Sequence, residues 1–468
     1  MDIMSNFARM TIHELAPLIE RREVSPVDVT REMLDRIDAL DERLHAFVTV
    51  RHELALDAAR SAEQEISRGN YRGPIHGLPL GIKDNIAVAG WPTTNASTLM
   101  SDNITDYDAT VVARLRAAGG VIVGKNNLHE WAMGGTCVKT AFGSIHNPWN
   151  EECVPGGSSG GSAAAVSASL IYGSVGTDNK GSIRMPAAYC GVVGIKPTYG
   201  LVSRFGQLPP TTASTDHLGP IAKDVRDAAL LLNVLAGLDQ LDPSSLPSAT
   251  RDYTAGIADG VAGVRVGVPR DFYFERTAPD VAEAVNKAIA ALAGAGAEVT
   301  DVAIPSLQYM PLTDPAWVNE IRPFLLPYAR EGSQNFADRT IWERVVLGEV
   351  LRASDVVRAL RLRSLIESEF QAVMQEVDVL AMPTSMTTAF PIDEAEPGGT
   401  MASGTTTLCA PLNLTGMPAV SVPCGFTPAG LPVGLTIAGR HWEEPLVLRV
   451  AYACEQATTG GYRAPPIA

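Results

Sequence analysis

The chain has 468 residues, 46% apolar and 19% charged, with 37 basic against 52 acidic side chains and a formal charge of −15. That apolar fraction, without any low-complexity tract, excludes a disordered chain and suffices for a large core. The acidic balance, with no Lys/Arg block and no run of 18 consecutive apolar residues, gives no footprint for nucleic acid, a polybasic anchor or a membrane span.

In chain order, Thr11-Ile-His-Glu14 has capping-box spacing, and Ser25-Pro26 sets a cap and a first-turn proline before Val29, Met33, Leu34, Ile37 and Leu40. This predicts a helical hairpin. A short β-rich Phe47–Val50 follows, then a third helix from Leu54 to Ile66 and a Gly73-Pro74 turn. A strand over Leu80–Val88, a helix over Ala109–Ala118 and a buried strand over Val121–Val123 then make a βαβ pattern. A helix over Ser162–Leu170 is flanked by Gly-rich turns. The second half predicts helices over Val225–Leu235, Val281–Ala293 and Leu446–Glu455, strands over Val264–Val268, Val299–Ile304, Val377–Ala381, Ala419–Val422 and Val433–Ile437, and one long helical periodicity from Ile341 to Val373. The Pro- and Ser-rich stretch Asp242–Ala249 is a candidate linker, yet no compositional break or internal repeat divides the chain. One α/β domain over 1–468 is expected, with a helical part at 1–70, a motif-bearing core at 71–220 and the remaining sheet and variable helices at 221–468.

Three motifs carry chemistry. Gly81-Ile82-Lys83-Asp84-Asn85 places a lysine in the first strand of the βαβ unit. Gly156-Gly157-Ser158-Ser159-Gly160-Gly161 and Gly181-Ser182-Ile183-Arg184 put serines on Gly-rich turns, with Ser158 and Ser182 standing 24 residues apart. Acyl transfer from an amide needs an activated oxygen nucleophile, an acceptor for its proton and donors aimed at the developing oxyanion. A lysine accepts that proton only when neutral, a state favoured by burial away from anions. The six cysteines lack C-x-x-C spacing, as reduced cytosolic thiols would, and the eight histidines form no H-x-x-x-H or H-E-x-x-H pair, so no metal site is indicated. Residues 1–10 lack a basic stretch followed by an apolar run, and the reading is a cytoplasmic protein.

Together with Lys125-Asn126-Asn127, Ala132-Met133-Gly134-Gly135-Thr136, Asn147-Pro148-Trp149, Gly194-Ile195-Lys196-Pro197-Thr198-Tyr199-Gly200 and Pro418-Ala419-Val420-Ser421-Val422-Pro423, these motifs resemble the amidase signature family of Ser-Ser-Lys hydrolases. The resemblance covers nearly the whole chain and is strongest from Gly73 to Pro220. It implies an α/β fold with a large twisted mixed sheet flanked by helices on both sides, and hydrolysis of the C–N bond of a small-molecule carboxylic amide. Carried over by position, it makes Ser182 the nucleophile, Ser158 a bridging serine with an unusual cis peptide, and Lys83 the base. The backbone N–H groups of Asn179, Lys180, Gly181 and Ser182 become the oxyanion hole, and Met133, Gly134 and Gly135 lie beside the acyl pocket. Ser159, Asp178 and Arg184 are supporting residues; Asp178 and Arg184 are either an ion pair that fixes the loop or substrate contacts. No metal or organic cofactor, nucleic acid or membrane partner is implied, and relatives often form homodimers.

Aromatic and apolar side chains in 307–346 and 385–408, namely Tyr309, Met310, Trp317, Phe324, Tyr328 and Phe390, lean toward aryl or arylalkyl amides, with carbamates and esters as side activities, although the same side chains read equally as core, which is the expected place of most of them. Asn179-Lys180 stand where many relatives have a small residue followed by glycine. The N–H donors survive that change, and the Lys180 side chain is expected to reach the pocket mouth and favour electron-rich or anionic substrates.

Other readings remain. Gly157-Ser158-Ser159-Gly160-Gly161 satisfies the G-x-S-x-G elbow of α/β-hydrolase esterases, with His217 and His441 as formal partners, but Asn147–Pro155 is polar and carries two prolines where an elbow needs a strand. No G-K-[ST] follows either Gly-rich run, which excludes a P-loop. An inactive binding homologue is a further class. Within the family, the alternative is the glutamine-hydrolysing amidase subunit of a tRNA-dependent amidotransferase. That subunit typically has an acidic residue shortly before its Pro-x-Asn-Leu-x-Gly motif; here Pro411-Leu412-Asn413-Leu414-Thr415-Gly416 follows Thr405, Thr406 and Thr407, which favours a stand-alone amidase.

Overall fold

Strand-forming segments from both halves of the chain meet in a single sheet. The computed structural model describes residues 7–209, 211–249, 251–395 and 408–467. Among them are eleven strands: β1 (Phe47–Val50), β2 (Pro79–Lys83), β3 (Val121–Asn126), β4 (Gly173–Asp178), β5 (Val193–Lys196), β6 (His217–Ala222), β7 (Arg265–Pro269), β8 (Glu298–Val302), β9 (Val379–Pro383), β10 (Ala419–Phe426) and β11 (Pro432–Gly439). They lie in the order β1-β3-β2-β4-β6-β5-β10-β11-β9-β7-β8. The β3-β2-β4 and β9-β7-β8 groups pair in parallel, and the strands between them pair antiparallel.

The strand period of two sends neighbouring side chains to opposite faces. On β3, Ile122 enters one apolar cluster while Val121 and Val123 enter another. The first cluster takes in helices Ile12–Glu20, Val225–Leu235, Pro279–Gly294 and Glu444–Thr458, and the second takes in helices Gly160–Ser167 and Arg184–Cys190. Both faces of the sheet are therefore covered by helices. No helix among the described residues is long and apolar enough to cross a membrane.

The N-terminal hairpin forms as its caps suggest. Ser25 Oγ accepts from the N–H groups of Val27 and Asp28, with Pro26 in the first turn of helix Pro26–Leu44. Several elements differ from the sequence reading. β2 stops at Lys83, because the chain turns there: Ile86 N donates to Lys83 O at 3.0 Å. The long periodicity from Ile341 breaks at Gly348 into helices Arg339–Leu347 and Ala353–Glu376, with a single 3-10 turn between. Strands β4, β5 and β6 were not anticipated; β4, Gly-Ser-Val-Gly-Thr-Asp, is too small and polar to read as a strand, yet every residue of it is buried.

Candidate active site

The parallel register of β2 and β4, Leu80 opposite Gly173 and Ile82 opposite Val175, sets the C-terminal ends of both strands side by side. Lys83 ends β2, and β4 runs out through Thr177 and Asp178 into the turn that carries Ser182. Open sheets place their sites at such strand ends.

Lys83 is fully buried. Its Nζ lies 2.7 Å from Ser158 Oγ and 2.7 Å from Thr177 Oγ1, and Asn85 Nδ2 donates to the same threonine oxygen at 3.2 Å. Burial pushes the Lys83 ammonium down from 10.5 to about 7, with Cys137, Asp216 and Asp178 opposing the shift. The neighbouring Lys125 contrasts with it: its Nζ is paired at 2.9 Å with Asp84 in an equally buried ion pair.

The Gly157–Ser158 peptide is cis. Ser158 O accepts from His129 N at 3.1 Å, and Ser159 N donates to Ser182 O at 3.1 Å, so the two serine motifs are tied through backbone. No direct bond between the Ser158 and Ser182 hydroxyls is found among the described residues. A Cβ on Gly157 would fall 2.9 Å from Gly134 O and 3.0 Å from the carbonyl carbon of Gly135, which explains both the glycine and the packing of the Met133-Gly134-Gly135 segment on this loop. Met133 itself faces the helical segment, where it packs with Trp131, Ile321 and Leu325, and its carbonyl accepts from Arg344 Nη1 at 2.8 Å.

The Ser182 turn is built around one carboxylate. Asp178 accepts from Gly181 N at 2.7 Å, Ile183 N at 3.2 Å, Arg184 Nε and Nη2 at 3.0 Å each, and Asn413 Nδ2 at 2.9 Å. Burial alone would raise its pKa, but the adjacent Arg184 guanidinium overcomes that and holds the carboxyl well below the usual range. Asp178 and Arg184 are wholly buried and form an ion pair that ties the loop together. Gly181, at φ +118 with the Cys409 side chain 2.5 Å from any added Cβ, has its N–H committed to Asp178. The N–H groups of Asn179, Lys180 and Ser182 carry no hydrogen bond among the described residues. Sequence reasoning missed Thr177 and gave Asn413 no role, although Asn413 lies in the quoted Pro-x-Asn-Leu motif.

The elbow reading has no geometry behind it. Ser159 is fully buried and its Oγ donates to Thr177 O at 3.2 Å. His217 Nδ1 faces Thr215 O, and His441 Nε2 faces Thr415 O. Half of the aromatic and apolar pocket candidates are core, and Tyr309 is 46% exposed. Trp131 packs on Phe324 and Tyr328, and Phe390 lies against Tyr189, whereas Met310 and Trp317 line a cavity beside Lys180. Part of the expected pocket segment, including Thr405–Thr407, lies outside the described residues. Elsewhere, His13, Asp224 and Asp227 come together with metal-like spacing, but Asp227 already accepts from Ile12 N, His13 N and the His13 ring.

The family model for amidases matches residues 28–448. The chain belongs to the amidase signature family. Such a chain is an enzyme, an amidohydrolase acting on amides. It is 40% identical to a glutamyl-tRNA(Gln) amidotransferase subunit of Moorella thermoacetica, over 98% of each chain. A solved structure described as an unexpected vestigial protein complex that reveals the evolutionary origins of an s-triazine catabolic enzyme superposes with a TM-score of 0.91 at 31% identity, covering 97% of this chain and 99% of that one. The native peptide amidase of Stenotrophomonas maltophilia gives 0.86 at 32% identity, over 99% of both chains. The expectation of a stand-alone enzyme without partner subunits or nucleic acid is corrected by the Moorella relative, which is named as one subunit of an enzyme with a tRNA-linked reaction. Net acidity misled because it averages over the whole surface and reports nothing of an interface.

Proposed function

We propose that this amidase is the glutamine-hydrolysing subunit of a tRNA-dependent amidotransferase, releasing ammonia through an acyl-enzyme on Ser182. The observation that carries the reading is the 40% identity to such a subunit over 98% of both chains. In this mechanism Ser182 Oγ attacks the amide carbonyl as Ser158 Oγ takes its proton and passes its own to Lys83 Nζ, 2.7 Å away. With a pKa of about 7, the lysine is neutral in a large fraction of molecules near pH 7. The oxyanion is received by the N–H groups of Asn179, Lys180 and Ser182, each such donor being worth about 3 kcal/mol in the transition state. Gly181 is left out, since its N–H holds the turn to Asp178. The proton returns through Ser158 to the leaving ammonia, and water completes hydrolysis by the same relay. Carbamates and esters share the tetrahedral intermediate and are expected as side activities.

The test is ammonia release from glutamine by the purified chain, alone and co-expressed with its partner subunits. Release that disappears in Ser182→Ala supports the reading. Absence of release in both preparations, from a protein whose Ser182 still takes a fluorophosphonate, would contradict glutamine as substrate and leave a serine amidohydrolase of other specificity.

A further inference from the structure

Lys180 stands two residues before Ser182, on the turn proposed to face the reacting carbonyl. Its side chain leaves that turn for the wall of a cavity formed also by Asn179, Met310, Trp317, Leu360 and Arg363. There the Lys180 ammonium pairs with Asp314 Oδ1 at 2.5 Å and lies 4.3 Å from the centroid of the Trp317 ring. Arg363, paired with Glu367 at 2.8 Å, lies on a separate helix, whereas Lys180 is the cation of this wall that stands on the Ser182 turn itself.

We infer that this cavity is a subsite for a substrate carboxylate, and that Asp314 holds the carboxylate's place on Lys180 until substrate arrives. The inference rests on the amide-hydrolase reading of Ser182. The cavity is small, about 30 Å³, so a carboxylate ligand enters by displacing part of the wall. Asp314 is the displaceable part: its side chain is 54% exposed against 26% for Lys180, and it opens helix Asp314–Glu331 at the protein surface. A half-buried cation stripped of its counter-ion is disfavoured, whereas exchange of one carboxylate for another keeps it paired. A ligand carboxylate therefore replaces Asp314 at small cost, and Asp314 turns to water. A neutral substrate end has no such exchange. It must separate the pair or leave it across the cavity.

The experiment compares ammonia release from two primary amides of equal shape, glutaramate with its carboxylate and 5-methylhexanamide without one. Because kcat/KM for both is read on the same preparation, the ratio is independent of how much of a variant folds. The wild-type preference for glutaramate should drop about tenfold in Lys180→Met, the loss of one charged hydrogen bond, and partly return in Lys180→Arg. In Asp314→Asn the KM for glutaramate should fall several-fold while that for 5-methylhexanamide does not. An unchanged ratio in Lys180→Met, or a higher glutaramate KM in Asp314→Asn, overturns the subsite. If neither amide is hydrolysed, protection of Ser182 from fluorophosphonate by glutarate reads the subsite directly: protection lost in Lys180→Met supports it, and protection retained overturns it.

Discussion

Two regions of this amidase solve the burial problem in opposite ways. Around β2, β4 and the serine turns, charged groups are taken wholly out of water and each is answered: Asp178 by Arg184, Asp84 by Lys125, and Lys83 by two hydroxyls. The helical segment 305–376 instead leaves Leu312, Leu347 and Val350 more than half exposed, and joins the core through the Trp131 cluster, through Leu307, Ile366, Phe370 and Met374 packed with Leu380, Met382 and Leu412, and through a few polar ties such as His129 to Asp338 at 2.8 Å. A buried ionic network has one arrangement that satisfies all its members, so it fixes geometry and resists substitution. An apolar contact backed by a few ties accepts many sequences. On the reading proposed above, the chemistry belongs to the first region and substrate choice to its border with the second, where Lys180 meets Asp314.

The comparison breaks most visibly at the reacting groups. Ser182→Ala and Lys83→Met should each lower ammonia release about 10⁴-fold or more under saturating substrate, because the relay acts as a unit. Next is Asp178→Ala, which strands a fully buried Arg184 and frees the Gly181, Ile183 and Arg184 N–H groups together. A loss of about 3–5 kcal/mol in urea unfolding is expected, with activity lost as well.

The motifs of the first region were legible because each is contiguous in sequence: a lysine, two serine turns and their glycines can be read without knowing what lies across the sheet. What joins them was not legible. Thr177 belongs to a strand of small and polar residues that carries no strand signal, and Asn413 reaches Asp178 from 235 positions away. The aromatic side chains of 307–346 carried an ambiguous signal, since a ring in a core and a ring in a pocket look alike in sequence; contact with Trp131 decided Phe324 and Tyr328. The break of the long helix at Gly348 was likewise hidden, because apolar periodicity continues on both sides of it.

The pH dependence sharpens the contrast further. Lys83 must lose its proton to act, so kcat/KM should rise tenfold per unit below about 7 and level off above. Glu130, held by Ser97 and by Asp338 N at the border between the regions, is raised by burial to about 7. Its folded-state pKa lies above its unfolded value of 4.5, so its contribution to stability is complete below that value and is lost as pH rises through 7. Thermal unfolding of Glu130→Gln should show a flatter stability profile between those limits. The smallest effects belong to the outer helices: Leu347→Gln and Val350→Thr should change unfolding free energy by under about 0.5 kcal/mol and leave kcat untouched.

The most direct test is the rate and place of covalent labelling by a fluorophosphonate, read by intact mass and peptide mapping across pH. The account predicts one adduct on Ser182, formed faster as pH rises through about 7 and absent in Ser182→Ala. An adduct on Ser159, or labelling of Ser182 that ignores the Lys83→Met substitution, would contradict it.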